Sequence, residues 1–389
     1  MFQRVIIIVL DGVGIGALPD AVDYGDQEAA TLQHVAETAG GLNLPCLEHL
    51  GLGCIAPIAG LKSVPFPLAC WGKMREKSPG KDSVTGHWEI AGVVLDQPFA
   101  TFPEGFPEAI IDAFKRETGF DPLGNVAASG TDILRELGEE HLKTGRPIVY
   151  TSSDSVFQIA AHEMVLPPED LYKLCRQVEL LLKPYNICRV IARPFKGTSK
   201  DDFYRTGGRH DFSVRPPEST LLERLKGENI DTYGVGKIHD LFAGTGLKES
   251  CPTKNNSEGM AATIKTFEKI NQGLVMTNLV DFDMLYGHRL DPDGFAAALE
   301  EFDRWLPDLL ESMRVDDLLI MTADHGCDPT LPGTDHTREF VPLLAYTESR
   351  RVAVGLGIRQ TFADVGATVA ENFGLSSANG QSFLAELTA

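Results

Sequence analysis

Three largely apolar runs, each stopped by acidic residues, restrict what this chain can fold into more than any other feature of it. Val5-Ile6-Ile7-Ile8-Val9-Leu10 ends at Asp11, Gly273-Leu274-Val275-Met276-Thr277-Asn278-Leu279-Val280 ends at Asp281 and Asp283, and Leu318-Leu319-Ile320-Met321-Thr322-Ala323 ends at Asp324. A run without polar alternation reads as a strand covered on both faces, the habit of parallel sheets packed between helices. Ligands of open α/β sheets gather at the carboxyl ends of the strands. The runs therefore predict an α/β core that delivers carboxylates to one edge of a crevice.

At 389 residues the chain exceeds the size at which a single core keeps growing, so two domains are expected. The texture changes between the first apolar run and the last two: Pro98, Pro103 and Pro107 punctuate one end of the segment and Pro216-Pro217 the other. Inside it, helices are predicted over 108–117, 131–142 and 169–182, and strands over 147–151 and 188–192. The expected division is a core built from 1–97 and 218–389, with a smaller α+β domain, 98–217, inserted into it. A net charge of −20 argues against nonspecific binding to nucleic acid or anionic lipid, although local Arg and Lys residues can still hold a small phosphorylated molecule. No apolar run reaches the ~18 residues of a membrane span, and no signal-peptide pattern opens the sequence, so a cytoplasmic protein is expected. The seven cysteines form no CxxC pair and read as reduced, mostly buried thiols, Cys327 included.

Chemistry concentrates in a set scattered along the whole chain: Asp11, Thr85, Asp283, His288, Asp324, His325 and His336. Carboxylates and imidazoles without a thiolate pair suit Mn²⁺, Zn²⁺ or Mg²⁺, and the set reads as a two-metal phosphoryl-transfer site. Between Asp324-His325 and His336 lies a Gly/Pro-rich loop, Gly326 to Gly333, able to return the second histidine to the first pair. Thr85, in a loop opened by Pro79-Gly80, is the candidate nucleophile, activated by a base or a cation. It could equally cap a helix, as could Ser83, and the two readings are compatible because a helix N-terminus favours bound phosphate. Gly12-Val13-Gly14-Ile15-Gly16 follows a strand, but its GxGxG spacing makes it a weak dinucleotide signal.

Val9-Leu10-Asp11-Gly12-Val13-Gly14, Gly80-Lys81-Asp82 with Thr85-Gly86-His87-Trp88-Glu89, Asp281-Phe282-Asp283 with Tyr286-Gly287-His288-Arg289, and Thr322-Ala323-Asp324-His325-Gly326 through Asp335-His336-Thr337-Arg338-Glu339 together resemble the phosphopentomutase family of the alkaline phosphatase superfamily. The resemblance runs over essentially the whole chain. It implies an alkaline-phosphatase-like core with an inserted cap and two Mn²⁺ ions, one held by Asp11, Asp324, His325 and Thr85, the other by Asp283, His288 and His336. It further implies phosphorylation of Thr85, interconversion of ribose or deoxyribose 1- and 5-phosphates through a bisphosphate, and activation by a sugar bisphosphate. A mutase must keep water from its phosphoenzyme, which a closing cap would do.

Asp154, Ser155, Arg193 and Arg209 of the inserted domain, and Lys237 of the core, are the expected contacts to sugar hydroxyls and phosphate. Gly208 stands where the family is expected to carry Asn. The competing readings are a phosphomonoesterase or phosphodiesterase on the same site, which would release phosphate steadily, and a noncatalytic metal-binding protein, which would be indifferent to Thr85→Ala.

Overall fold

The computed structural model describes residues 1–152, 155–349 and 353–388. Its strands, in chain order, are β1 (Arg4–Leu10), β2 (Cys70–Met74), β3 (Leu123–Ala127), β4 (Ile148–Thr151), β5 (Val156–His162), β6 (Arg189–Lys196), β7 (Tyr204–Arg205), β8 (His210–Ser213), β9 (Thr232–Val235), β10 (Glu249–Cys251), β11 (Gly273–Leu279), β12 (Asp317–Thr322), β13 (Val341–Tyr346) and β14 (Gly355–Arg359). The chain divides into two compact units, Met1–Gln97 with Pro216–Ala389, and Pro98–Arg215. Pro216 and Pro217, assigned by sequence to the insertion, fall in the larger unit.

The larger unit is built on an eight-stranded sheet of order β10-β9-β11-β1-β12-β13-β2-β14. Its middle, β9-β11-β1-β12, is parallel, and β13 runs antiparallel to both neighbours. Every residue of β1, β11 and β12 is buried, as expected of strands covered on both faces. The helix Pro292–Ser312 buries Phe295, Leu299, Phe302, Leu306 and Leu309 at helical spacing. At the opposite end of β1 from Asp11, Arg4 is buried, bonded to both carboxylate oxygens of Asp317, and lies 3.9 Å over the ring of Phe267. That pairing fixes the register of the strand bottoms in a place where an unpaired guanidinium would be costly.

The smaller unit has its own sheet, β3-β4-β5-β6-β7, with β8 also paired to β6. The helices Glu108–Thr118 and Pro168–Leu182 bury Ile110, Ile111 and Phe114, and Leu171, Leu174, Cys175 and Val178, in a core shared with Phe157, Ile159 and Val190. The helix Gly130–Thr144 covers a second cluster around Leu123, Ile133, Leu134 and Phe195. The expected helices are therefore present, with ends shifted by a residue or two. Among the described residues no helix is long and apolar enough to cross a membrane. All seven cysteines are free, but only Cys70, Cys175, Cys188 and Cys327 are buried, and Cys251 is exposed.

Candidate metal centre and nucleophile loop

Strand register assembles the site. β1 pairs with β12 through Val9↔Thr322, which brings Asp11 and Asp324 level beyond the strand ends, and with β11 through Leu10↔Leu279. After β11 the chain turns through one π-helical turn, Phe282–Tyr286, and a 3-10 turn, Gly287–Arg289, carrying Asp283 and His288. A short antiparallel bridge, Gly326 N–H to Thr337 O at 3.0 Å and Thr337 N–H to Gly326 O at 2.7 Å, folds the Gly/Pro-rich loop back. His336 thereby comes to rest against His325, ring centroids 4.0 Å apart.

Six of the seven residues singled out in the sequence thus come together in one cluster, all of them buried except the half-buried His288. Ligand atoms of Asp11, Asp324 and His325 lie within 4.8 Å of one another, and so do those of Asp283, His325 and His336. His325 Nε2 stands 3.4 Å from Asp11 Oδ1 and 3.5 Å from Asp324 Oδ2. His336 Nε2 and His288 Nε2 stand 3.3 and 3.4 Å from Asp283 Oδ1. The ring orientations are set by the backbone: His288 Nδ1–H donates to Thr334 O at 2.7 Å and His325 Nδ1–H to Gly326 O at 3.0 Å. Each ring then offers Nε2 inward, the arrangement that outer partners impose on metal-ligating histidines.

The electrostatics of the cluster ask for positive charge. Burial would raise the Asp11 carboxyl, but Lys237 and His325 outweigh it and hold it well below the usual range. Asp283 is likewise held down, against burial, by His336 and His288. Burial would lower His325, yet Asp324 and Asp11 raise it well above its ordinary value. Asp283 Oδ1 and Asp324 Oδ2 are buried and accept no hydrogen bond. Buried anionic oxygens left without donors are expensive unless a cation serves them, and the hard oxygen and imidazole donors here fit divalent ions.

The helix Ser83–Ile90 points its first turn at this cluster. Its N-cap is Asp82, which neither cap expectation named: Oδ1 accepts from the N–H groups of Val84 and Thr85, both at 3.0 Å. The other oxygen, Oδ2, accepts the Thr85 hydroxyl at 2.6 Å. Thr85 is completely buried, and the Ser83 hydroxyl reaches the cluster, 3.1 Å from His325 Nε2 and 3.4 Å from Asp11 Oδ1. Sequence reasoning weighed Ser83 only as a cap. It missed Asn278, whose Nδ2 donates to Asp11 Oδ2 at 3.0 Å, and His87, whose Nδ1 donates to Ser83 O at 2.8 Å and lies 3.0 Å from Asp324 Oδ2. A spacing of four between Ser83 and His87 on a helix was the available signal.

The motif residues that bind nothing hold these loops. Glu89 accepts from the backbone of Lys77, Ser78 and Phe362 and from the hydroxyls of Ser78 and Thr361. Arg338 donates to Glu76 Oε2 at 2.6 Å, to the carbonyls of Ser78 and Gly80 at 2.9 and 2.6 Å, and to Asp20 Oδ2 at 3.0 Å. Burial pushes the Glu76 carboxyl well up, against the pull of Arg338. Glu339 accepts from Gly16 N–H, Thr31 and Thr337. A Cβ on Gly14 or Gly326 would collide with the Glu339 carboxylate, so Gly14 serves packing and not the phosphate cradle of a dinucleotide site.

The remaining predicted contacts are distributed differently. Lys237 Nζ lies 3.5 Å from Asp11 Oδ2. In the smaller unit, Arg193 and Arg209 line a cavity of about 230 Å³ with Arg189, Arg205, Ser129 and Gly130, the last two at the start of a 15-residue helix. Burial and the neighbouring Arg209 both lower Arg193, the mark of crowded positive charge. Ser155 is instead engaged within the unit, its hydroxyl donating to Ala100 O at 2.6 Å and accepting from Cys188 N–H at 3.2 Å. Asp154 lies outside the described residues.

The chain matches the model of the Metalloenzyme superfamily over residues 3–377. It is 57% identical to the phosphopentomutase of Syntrophotalea carbinolica over 386 residues, 99% of this chain and 98% of that one. With the phosphopentomutase of Caldanaerobacter subterraneus it shares 54% identity over 389 residues, 100% of this chain and 98% of the relative. Among solved structures, Leishmania mexicana phosphoglycerate mutase shares the fold at a TM-score of 0.50 and 14% identity, covering 98% of this chain and 97% of that one. A Pyrococcus horikoshii protein does so at 0.51 and 16%, covering 98% and 100%. A sheet that brings three aspartates and three histidines together beyond its strand ends, a helix N-terminus carrying hydroxyls beside them, and more than half of all residues shared over full length make this chain a member of the phosphopentomutase family, isomerases of the metalloenzyme superfamily.

Proposed function

We propose that the chain interconverts the 1- and 5-phosphates of ribose or deoxyribose, with Thr85 as phosphoryl carrier and two Mn²⁺ ions as cofactors. Asp11, Asp324 and His325 with Thr85 would hold one ion, and Asp283, His288 and His336 the other. Bound there, the ions would neutralise the equatorial oxygens of the transferring group and lower the barrier to attack by a hydroxyl. The observation that carries this reading is the pair of buried carboxylate oxygens, on Asp283 and Asp324, that accept no hydrogen bond within a cluster of six ligand residues.

The chain's own residues supply the rest. Asp82 holds Thr85 Oγ1 in one orientation through its 2.6 Å hydrogen bond, and the N–H groups of the helix it caps favour an anion at that end. Lys237 would meet a phosphate oxygen once the cation charge satisfies Asp11. In the reaction, the Thr85 Oγ–phosphorus bond would break as the free hydroxyl of the sugar monophosphate forms its own bond to phosphorus, the sugar hydroxyl giving up its proton and Thr85 Oγ taking one up. The resulting bisphosphate then returns its other phosphoryl group to Thr85 Oγ and leaves as the isomer. A sugar bisphosphate would therefore activate enzyme that has lost its phosphoryl group. The guanidinium-lined cavity of the smaller unit, with Arg193 and Arg209, would hold a sugar phosphate, and Ser155 would support that wall through Ala100 and Cys188 instead of touching the ligand. Seven free cysteines and a phosphorylated substrate fit a cytoplasmic setting.

A phosphorus NMR time course tests the reading. Mn²⁺-loaded protein, given ribose 1-phosphate and a trace of sugar bisphosphate, should form ribose 5-phosphate without inorganic phosphate, and Thr85→Ala should abolish turnover. Steady release of phosphate would establish a hydrolase in its place, and full turnover by Thr85→Ala would remove the phosphothreonine.

A further inference from the structure

The mechanism leaves one potential ligand of the cluster unused. Cys327 is 1% exposed and its thiol is free. A ligand atom from each of Asp283, His288 and Cys327 fits within a 4.8 Å span, the same closeness that unites the other ligand groups. Two glycines make this approach possible. A Cβ on Gly287, the residue before His288, would overlap Cys327 Sγ, and a Cβ on Gly12 would come to 2.9 Å from Cys327 Cβ and 3.3 Å from Asp283 Cβ. Asp283 is 3% exposed, and its Oδ1, 3.4 Å from His288 Nε2, accepts no hydrogen bond. The sulfur is thus seated among candidate ligands.

We propose that Cys327 is a latent thiolate ligand beside Asp283 and His288, which makes that position a trap for thiophilic cations such as Cd²⁺ and Zn²⁺. The inference rests on the proposed role of these residues as a metal site. Hard Mn²⁺ is served by carboxylate and imidazole and needs no sulfur, whereas Asp283, His288 and Cys327 together offer a carboxylate, an imidazole and a thiolate, a donor mix that zinc-like ions accept. On binding, the S–H bond breaks, a metal–sulfur bond forms, and the proton leaves to solvent. The cation is the only co-reactant.

The test is a Cd²⁺ titration of the metal-free full chain, read by the near-ultraviolet sulfur-to-cadmium charge-transfer absorption, beside Mn²⁺ binding read by electron paramagnetic resonance. Cys327→Ser should lose the absorption that appears with the first equivalents of Cd²⁺, bind Cd²⁺ roughly 10-fold more weakly or worse, and keep its Mn²⁺ affinity. Asp283→Ala should lose that absorption and also Mn²⁺ at this position. An undiminished band in Cys327→Ser, or no band in the unaltered chain while Mn²⁺ binds, would overturn the thiolate ligand and leave the metal site standing. Failure of the unaltered chain to bind Mn²⁺ would overturn the site and the ligand together.

Discussion

Replacing Arg338 by Met should cost about 3–5 kcal/mol of folding stability, because it strands the Glu76 carboxyl in the interior. Both side chains are 2% exposed, and Arg338 serves Glu76 Oε2, Asp20 and the carbonyls of Ser78 and Gly80 at once. Such a loss is a large share of the 5–15 kcal/mol typical of a folded domain. Adding Glu76→Met removes the stranded group, so the double variant should recover about 1–2 kcal/mol relative to Arg338→Met, the remaining deficit coming from carbonyls without donors. A pH signature separates this from general damage. Burial already raises Glu76 above its ordinary 4.5, and losing Arg338 removes the main opposing influence. The native state of Arg338→Met then binds a proton that the unfolded chain releases, so its stability should fall as pH rises above 4.5, a slope absent from the double variant. Urea denaturation read by tryptophan fluorescence is suited to this, because Trp71, Trp88 and Trp305 all lie in the larger unit. If the double variant is less stable than Arg338→Met, or if neither shows a pH slope, the buried pair is not what holds the loop that leads into the helix Ser83–Ile90.

In the smaller unit, Phe157→Ala empties a fully buried position between Phe106 and Phe114, 4.5 and 5.8 Å away by ring centroid. It should cost about 3–5 kcal/mol, seen as an earlier circular-dichroism transition while the tryptophan transition stays in place. Gly287→Ala forces a methyl group against Cys327 Sγ and should lower stability by about 1–3 kcal/mol while weakening Mn²⁺ binding through His288. The Asp202 carboxylate accepts from Thr198 N–H and Ser199 N–H, which lower it from 3.8 to about 2. Its contribution to folding is therefore present above 3.8 and lost as pH falls through about 2, and an NMR titration that places its midpoint at 3.8 would refute the loop geometry.

What could be read from the sequence follows from where the physical signal is local. β1, β11 and β12 were legible because strands buried on both faces need apolar residues at every position, and their register then levels Asp11 with Asp324 automatically. The clustering of the six His and Asp residues was legible because carboxylates and imidazoles recur just beyond the ends of strands that the register brings side by side. β3 and β7 left no comparable trace: four of the five residues of β3 and both residues of β7 are at least partly exposed, and an edge strand needs no continuous apolar run. The pair Glu76–Arg338, 262 residues apart in sequence, has no local signature at all.

The first turn of the helix Ser83–Ile90 shows a subtler limit. Three of its residues, Asp82, Ser83 and Thr85, all satisfy cap chemistry on paper, and only backbone geometry assigns the cap to Asp82. That assignment has a chemical consequence. One carboxylate then does two jobs: Oδ1 ties down the N–H groups of the first turn while Oδ2 turns the Thr85 hydroxyl to a fixed direction. Ser83, one position along, is left free to face Asp11 and His325. Changing Asp82 to Asn keeps the Oδ1 cap, since an amide oxygen accepts equally well, but presents an NH₂ group to Thr85 Oγ1. Stability should therefore change by less than about 1 kcal/mol while phosphorylation of Thr85 slows markedly, because the hydroxyl loses its acceptor. Mass spectrometry of the protein after brief exposure to a sugar bisphosphate reads the phosphorylation directly. Unchanged labelling in a stable Asp82→Asn variant would show that the Thr85 hydroxyl is aimed by something other than the cap.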